Sequence, residues 1–187
     1  KQKQYVSLSY ARDNAYKLDP KLQYLDPPKK LGVTVFDSIE ISKVVNYIDW
    51  TPFFLTWSLA GKYPRILNDD VVGEQAQSLF NDANAMLDKI IEDNTLQAKG
   101  VIGLFPANRV GDDVEIYSDE SRTKVSGVGH HLRQQTLKDK FANYCLADFV
   151  AEKSSGIEDY VGAFAVTGGI GEDELADSYI QAGDDYN

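Results

Sequence analysis

Residues 46–73 constrain this chain more than any other stretch. Both tryptophans, Trp50 and Trp57, fall there together with Phe53, Phe54, Tyr47 and Tyr63, and Pro52, Gly61 and Pro64 interrupt them. No uninterrupted helix can carry such a segment, because each proline removes a backbone donor and restricts the residue before it. Large rings on a broken backbone beside an acid, Asp49, suit either a core corner or the wall of a ligand site.

The stretch leads into the most periodic part of the sequence. From Asn68, Asp69 and Asp70 onward, Val72, Ala76, Leu79, Phe80, Ala83, Met86, Leu87, Ile90 and Ile91 recur at intervals of three and four, which predicts a helix. The acids and Asn68 at its start suit the free N–H groups and the positive dipole end. Its apolar stripe reads as core packing and not as a cofactor face.

Other elements are read around that helix. Residues 31–36 are apolar and β-branched, a strand signal. Ser42 is placed to cap a short helix that ends before Pro52, which puts Asp49 in its last turn. Residues 100–105 and 114–117 read as neighbouring strands, joined by a loop over 106–113 that contains Pro106, Asn108 and Gly111. A polar helix over 129–138, strands over 143–150 and 159–167, and a final helix with Leu175, Ala176, Tyr179 and Ile180 on one face complete the reading. The expected fold class is α+β, a twisted and largely antiparallel sheet with flanking helices.

Charge narrows the partners. The net charge is −10, but residues 1–30 hold seven Lys/Arg against three Asp, or +4, which leaves 12 against 26, or −14, for the rest. So acidic a body argues against nucleic acid as a partner. No apolar run is long enough to span a bilayer. With Cys145 the only cysteine, no internal disulfide can form, and a reducing cytoplasm is the expected setting. Residues 1–30 read as a linker or N-terminal extension and residues 31–187 as one domain. Lys1 reads as a cut or processed start, and Asp184, Asp185, Tyr186 and Asn187, with no closing signal, as the end of a domain cut short.

Five groups of residues bear on chemistry. The turn at 168–171, three glycines and Ile170 between a strand and a helix, has the outline of a phosphate cradle, but it has no lysine and runs into Glu172, Asp173 and Glu174, which favours an ordinary turn. His130 and His131 are adjacent, with no other ligand at metal spacing, so no metal site is expected. Cys145, between Tyr144 and Leu146, reads as a small buried hydrophobe without a paired base. Arg109 with Asp112 and Asp113 reads as an ion pair holding its loop, with a docking point as the alternative. No catalytic residue is assigned. On the residues alone, Asp49 is either a helix-end acid bonded to its own backbone or an acceptor for the ammonium group of a small ligand.

Four blocks, in order, carry a family resemblance: residues 47–54, 60–64, 103–113 and 143–149. They resemble the activation domain of cobalamin-dependent methionine synthase, the 5-methyltetrahydrofolate–homocysteine methyltransferase of methionine biosynthesis. The resemblance runs from about Ser42 to Asn187 and is slight before about Leu31. It implies binding of S-adenosylmethionine for the reductive remethylation of cob(II)alamin, with Asp49 as one of the contacts to that ligand. It also implies a cobalamin-binding domain in the same polypeptide and flavodoxin or a flavodoxin-like reductase as partners. The family's Arg-x-x-x-Gly-Tyr ligand run is absent from these residues, as is the Asp-x-His-x-x-Gly cobalamin run. Cobalamin is therefore expected on a separate domain, and the chain alone is expected to be inactive. Two alternatives remain open at this point: a docking scaffold for the cobalamin domain and flavodoxin that binds no ligand, and a nucleotide-binding enzyme built on the 168–171 turn.

Overall fold

The computed structural model describes residues 3–19 and 26–184. Lys1, Pro20 and the closing residues 185–187 lie outside them. The fold is α+β, with a five-stranded sheet ordered β1 (Gly32–Ile39), β2 (Gln97–Val110), β3 (Asp113–Tyr117) and β4 (Val125–His130), in which β5 (Asp159–Ile170) also pairs with β2. Both β2–β3 and β3–β4 are antiparallel. Among the described residues, no helix is long and apolar enough to cross a membrane.

The chain divides into two compact units, one of Lys1–Thr34 with Ile102–Phe164 and one of Val35–Val101 with Ala165–Asn187. In the second unit the expected long helix is α4 (Gly73–Asp93), which buries Ala76, Leu79 and Ile90 and ends where Asn94 turns left-handed at φ 50°. It begins later than expected. Asp69 turns its carboxylate onto the N–H groups of Val71 and Val72, at 2.9 and 3.1 Å, so the acid run closes a turn before the helix.

The segment before α4 differs from its sequence reading. The short helix after β1, α2 (Ile41–Val44), has Glu40 and not Ser42 at its N-cap and passes into a 3₁₀ turn, Val45–Tyr47. A separate helix, α3 (Trp50–Thr56), then starts at Asp49. Pro52 therefore lies inside the first turn of α3 and does not end a helix. The first N–H groups of a helix have no intrahelical partner, so a proline there sacrifices nothing. Trp50, Phe54, Leu59, Ile66, Ala76 and Leu79 form the core of this unit, with Phe53 and Phe80 packed against it.

In the first unit, β2 runs on through Pro106 to Val110, leaving only Gly111 and Asp112 between Val110 and its partner Asp113. The eight-residue loop read from sequence is thus a two-residue hairpin. A proline's fixed φ is compatible with extended backbone and removes only one donor, while Gly111, at φ 65°, supplies the tight turn. Residues 129–138 are not a helix: β4 ends at His130, and the Gly127 and Gly129 that weaken a helix are accommodated by pairing to β3. Residues 143–150 are not a strand but carry a 3₁₀ turn, Leu146–Phe149, because the Asp148 carboxylate accepts from the backbone N–H of Cys145 at 2.9 Å. Within residues 1–30, Leu8–Asp13 form α1, capped by Ser7. Val6 N–H donates to Gln135 O at 2.8 Å and Asn14 Nδ2 to Asn143 Oδ1 at 2.8 Å, and the Tyr16 ring stacks 5.3 Å from Phe149.

Candidate functional site around Asp49

Asp49 is the N-cap of α3: its Oδ1 accepts from the N–H of Thr51 at 3.1 Å. That bond occupies one carboxylate oxygen. Oδ2 makes no hydrogen bond among the described residues, and the side chain is exposed. Thr51 faces two ways, since its Oγ1 accepts from the N–H of Tyr63 at 3.3 Å. Tyr63 precedes Pro64 across a cis peptide, and its ring lies 5.5 Å from Phe80 and stacks at 6.5 Å over the fully buried Phe54. Asp49 therefore sits beside a turn that is tied both to its own helix and to the aromatic core.

The residues on either side of Asp49 open onto an apolar hollow. A cavity of about 350 Å³ lies between α3 and α4, walled by Ile48, Trp50, Phe53, Trp57, Met86 and Leu87, with Asp82 among its lining. Aromatic walls with few polar groups suit an apolar or aromatic ligand part, and a free carboxylate oxygen suits a cationic one.

The other candidates are distributed elsewhere. Arg109 does not pair with Asp112 or Asp113: its Nη2 meets Glu152 at 3.1 Å, because the hairpin aligns Arg109 with Val114 and sends its side chain to the segment after Val150. Asp112 instead accepts from Arg12 and Arg133, each at 2.8 Å. Burial raises the pKa of Asp112, but these guanidinium donors outweigh it and hold the carboxyl below its ordinary value. Asp113 stands opposite His130 in the β3–β4 ladder, 3.1 Å from its Nδ1. Among the described residues no cluster of three or more His, Cys, Asp or Glu side chains could hold a metal ion. Cys145 is buried in an apolar cluster with Ala107, Val114 and Ala147. In the 168–171 turn, Gly171 is the N-cap of α5 (Glu172–Gln181) at φ 101°, and a Cβ there would stand 2.7 Å from the carbonyl oxygen of Thr95. The glycine thus serves a close backbone approach.

Sequence reasoning missed two groups. Thr51 and Tyr63 lie beside Asp49: Tyr63 reads from sequence only as one of the rings of the 46–73 stretch, and Thr51 only as part of a resemblance block. Arg133 was missed altogether. It donates to Asp148 through two nitrogens, at 2.6 and 2.8 Å, and to the Asn143 carbonyl at 2.7 Å. Asp148 stood in a resemblance block, yet a buried arginine 15 residues earlier leaves no local pattern.

Residues 40–187 match the model of the family described as the vitamin B12 dependent methionine synthase activation domain. The chain belongs to that family. Among solved structures it is similar to a crystal structure of the MetH reactivation domain bound to AdoHcy, with 62% sequence identity and a TM-score of 0.86. The match covers 98% of this chain and 56% of that one, so this activation-domain chain spans little more than half the length of its solved relative.

Proposed function

We propose that this chain is the part of a cobalamin-dependent methionine synthase activation domain that helps to hold S-adenosylmethionine, with Asp49 accepting the ligand's ammonium group. The observation that carries the reading is the 62% identical relative bound to AdoHcy. AdoHcy is what S-adenosylmethionine becomes on losing its methyl group, so both present the same adenosyl, amino and carboxylate groups. The free oxygen of Asp49 fits the amino end: a charge-assisted hydrogen bond there contributes about 1.5–3 kcal/mol.

The chain's own part in the reaction is binding and orientation. Holding the sulfonium so that its methyl points toward the acceptor turns an encounter into an intramolecular transfer. Cobalamin, held by the cobalamin domain of the same polypeptide, would supply the reduced cobalt that serves as methyl acceptor. Flavodoxin or a related reductase is the proposed electron source. No residue run in this chain matches the cobalamin-ligating pattern, so the cofactor is assigned to that other domain. Methyltransferase activity belongs to the full-length protein, in the cytoplasm, where the buried Cys145 stays reduced.

Calorimetric titration with S-adenosylmethionine tests the reading in the full-length protein carrying this chain. Asp49→Asn keeps an N-cap oxygen but replaces the charge, so it is expected to weaken binding by roughly tenfold, about 1.4 kcal/mol. Undiminished affinity in that variant would rule out Asp49 as the ammonium acceptor.

A further inference from the structure

We propose that Thr51 is a positioning residue for the ligand: it locks the Asp49 carboxylate to the turn formed by residues 61–66, so that the free oxygen is presented in one orientation. The inference rests on the reading of Asp49 given above and extends it to a second residue. Among the described residues Thr51 supplies the hydrogen bonds that link the two, its N–H donating to Asp49 Oδ1 at 3.1 Å and its Oγ1 accepting from Tyr63 N–H at 3.3 Å.

The turn is a firm anchor for independent reasons. Ile66, 2% exposed, donates its N–H to Lys62 O at 3.0 Å. A Cβ on Gly61 would stand 2.7 Å from Ile66 Cγ1, so the backbone lies directly against the core. The Tyr63 ring is held over Phe54 and Phe80. By contrast, Asp49 is exposed, and among the described residues the bond to the Thr51 hydroxyl is the hydrogen bond that ties the first residues of α3 to this turn, although Trp50 itself is buried in the core. A carboxylate whose helix end can shift against the turn must be ordered when the ammonium binds, which lowers affinity. Thr51 removes that cost beforehand, acting through Asp49.

Recognition of the ligand's two ends separates this role from a general structural one. 5′-Methylthioadenosine keeps the adenosyl group and thioether but lacks the ammonium, so it does not use Asp49. In the full-length protein, Thr51→Val is expected to weaken AdoHcy binding by about fivefold, the size of one lost neutral hydrogen bond, while leaving 5′-methylthioadenosine affinity unchanged. Thr51→Ser, which keeps the acceptor oxygen, is expected to restore AdoHcy affinity to within about twofold. The proposal is overturned if Thr51→Val binds AdoHcy as the wild type does, if both ligands weaken together, or if serine fails to rescue. Failure of the underlying reading looks different: AdoHcy affinity is then unmoved by Asp49→Asn, or no AdoHcy binds to the wild type.

Discussion

Arg133 and Asp148 form a two-pronged ion pair, Nη2 to Oδ1 at 2.6 Å and Nη1 to Oδ2 at 2.8 Å, with their side chains 2% and 0% exposed. The remaining valences are filled: Arg133 also reaches Asp112 and the Asn143 carbonyl, and Asp148 receives the Cys145 N–H. A charge this deep is stable only because each donor and acceptor has a partner. Asp148→Ala is therefore expected to destabilise the protein by about 3–5 kcal/mol, since it removes the buried carboxylate and leaves Arg133 with Asp112 as its remaining counter-charge. Urea unfolding followed by circular dichroism measures it, and the double replacement Arg133→Met with Asp148→Leu should recover part of the loss.

Asp112 gives the same network a pH dependence. Its folded pKa lies below the ordinary value of 3.8, so its contribution to stability is complete above that value and is lost as pH falls through the depressed one. Acid unfolding should steepen below about pH 4, by up to about 1.4 kcal/mol per pH unit for one proton. Asp112→Asn, less stable at neutral pH, should show a flatter slope in that window. An unchanged slope in urea titrations from pH 5 to pH 2 would separate Asp112 from the effect.

Capping and ligand binding by Asp49 are separable. Asp49→Ala removes the N-cap of α3 and is expected to cost about 1 kcal/mol of stability, whereas Asp49→Asn keeps it within a few tenths. Thermal unfolding of the two variants beside wild type checks the split.

At Gly171 the backbone adopts φ 101° against the Thr95 carbonyl. Gly171→Ala is expected to destabilise by about 1–3 kcal/mol, through both the left-handed conformation and the close contact. Gly168→Ala, whose Cβ would meet nothing within 4 Å, should be far milder. Comparable losses at the two positions in denaturant unfolding would contradict this account.

Phe54 is fully buried, with Phe53, Tyr63 and Phe80 rings 5.6, 6.5 and 6.4 Å away. Phe54→Ala should cost about 3–5 kcal/mol and loosen the turn that carries Tyr63, so ligand affinity in the full-length protein should fall with stability. Denaturation midpoints and calorimetric titration of the same samples read the two effects together.

Local sequence determined much of this protein. The three-and-four spacing from Val72 to Ile91 specified α4, because a helix must put one face inward and polar residues outward. The crowding of rings between Tyr47 and Tyr63 specified a core, and the four resemblance blocks specified the family. Tertiary structure alone decided the rest. Whether Pro52 ends a helix or lies in the first turn of one depends on Trp50 and Phe54 having a core to enter, and whether Gly127 and Gly129 lie in a helix or a strand depends on β3 being there to pair with. The partners of Arg109, Asp112 and Arg133 lie 43, 100 and 15 residues away, respectively. Such contacts have no period to read, since a charged side chain takes its partner from whatever the folded backbone brings within about 3 Å.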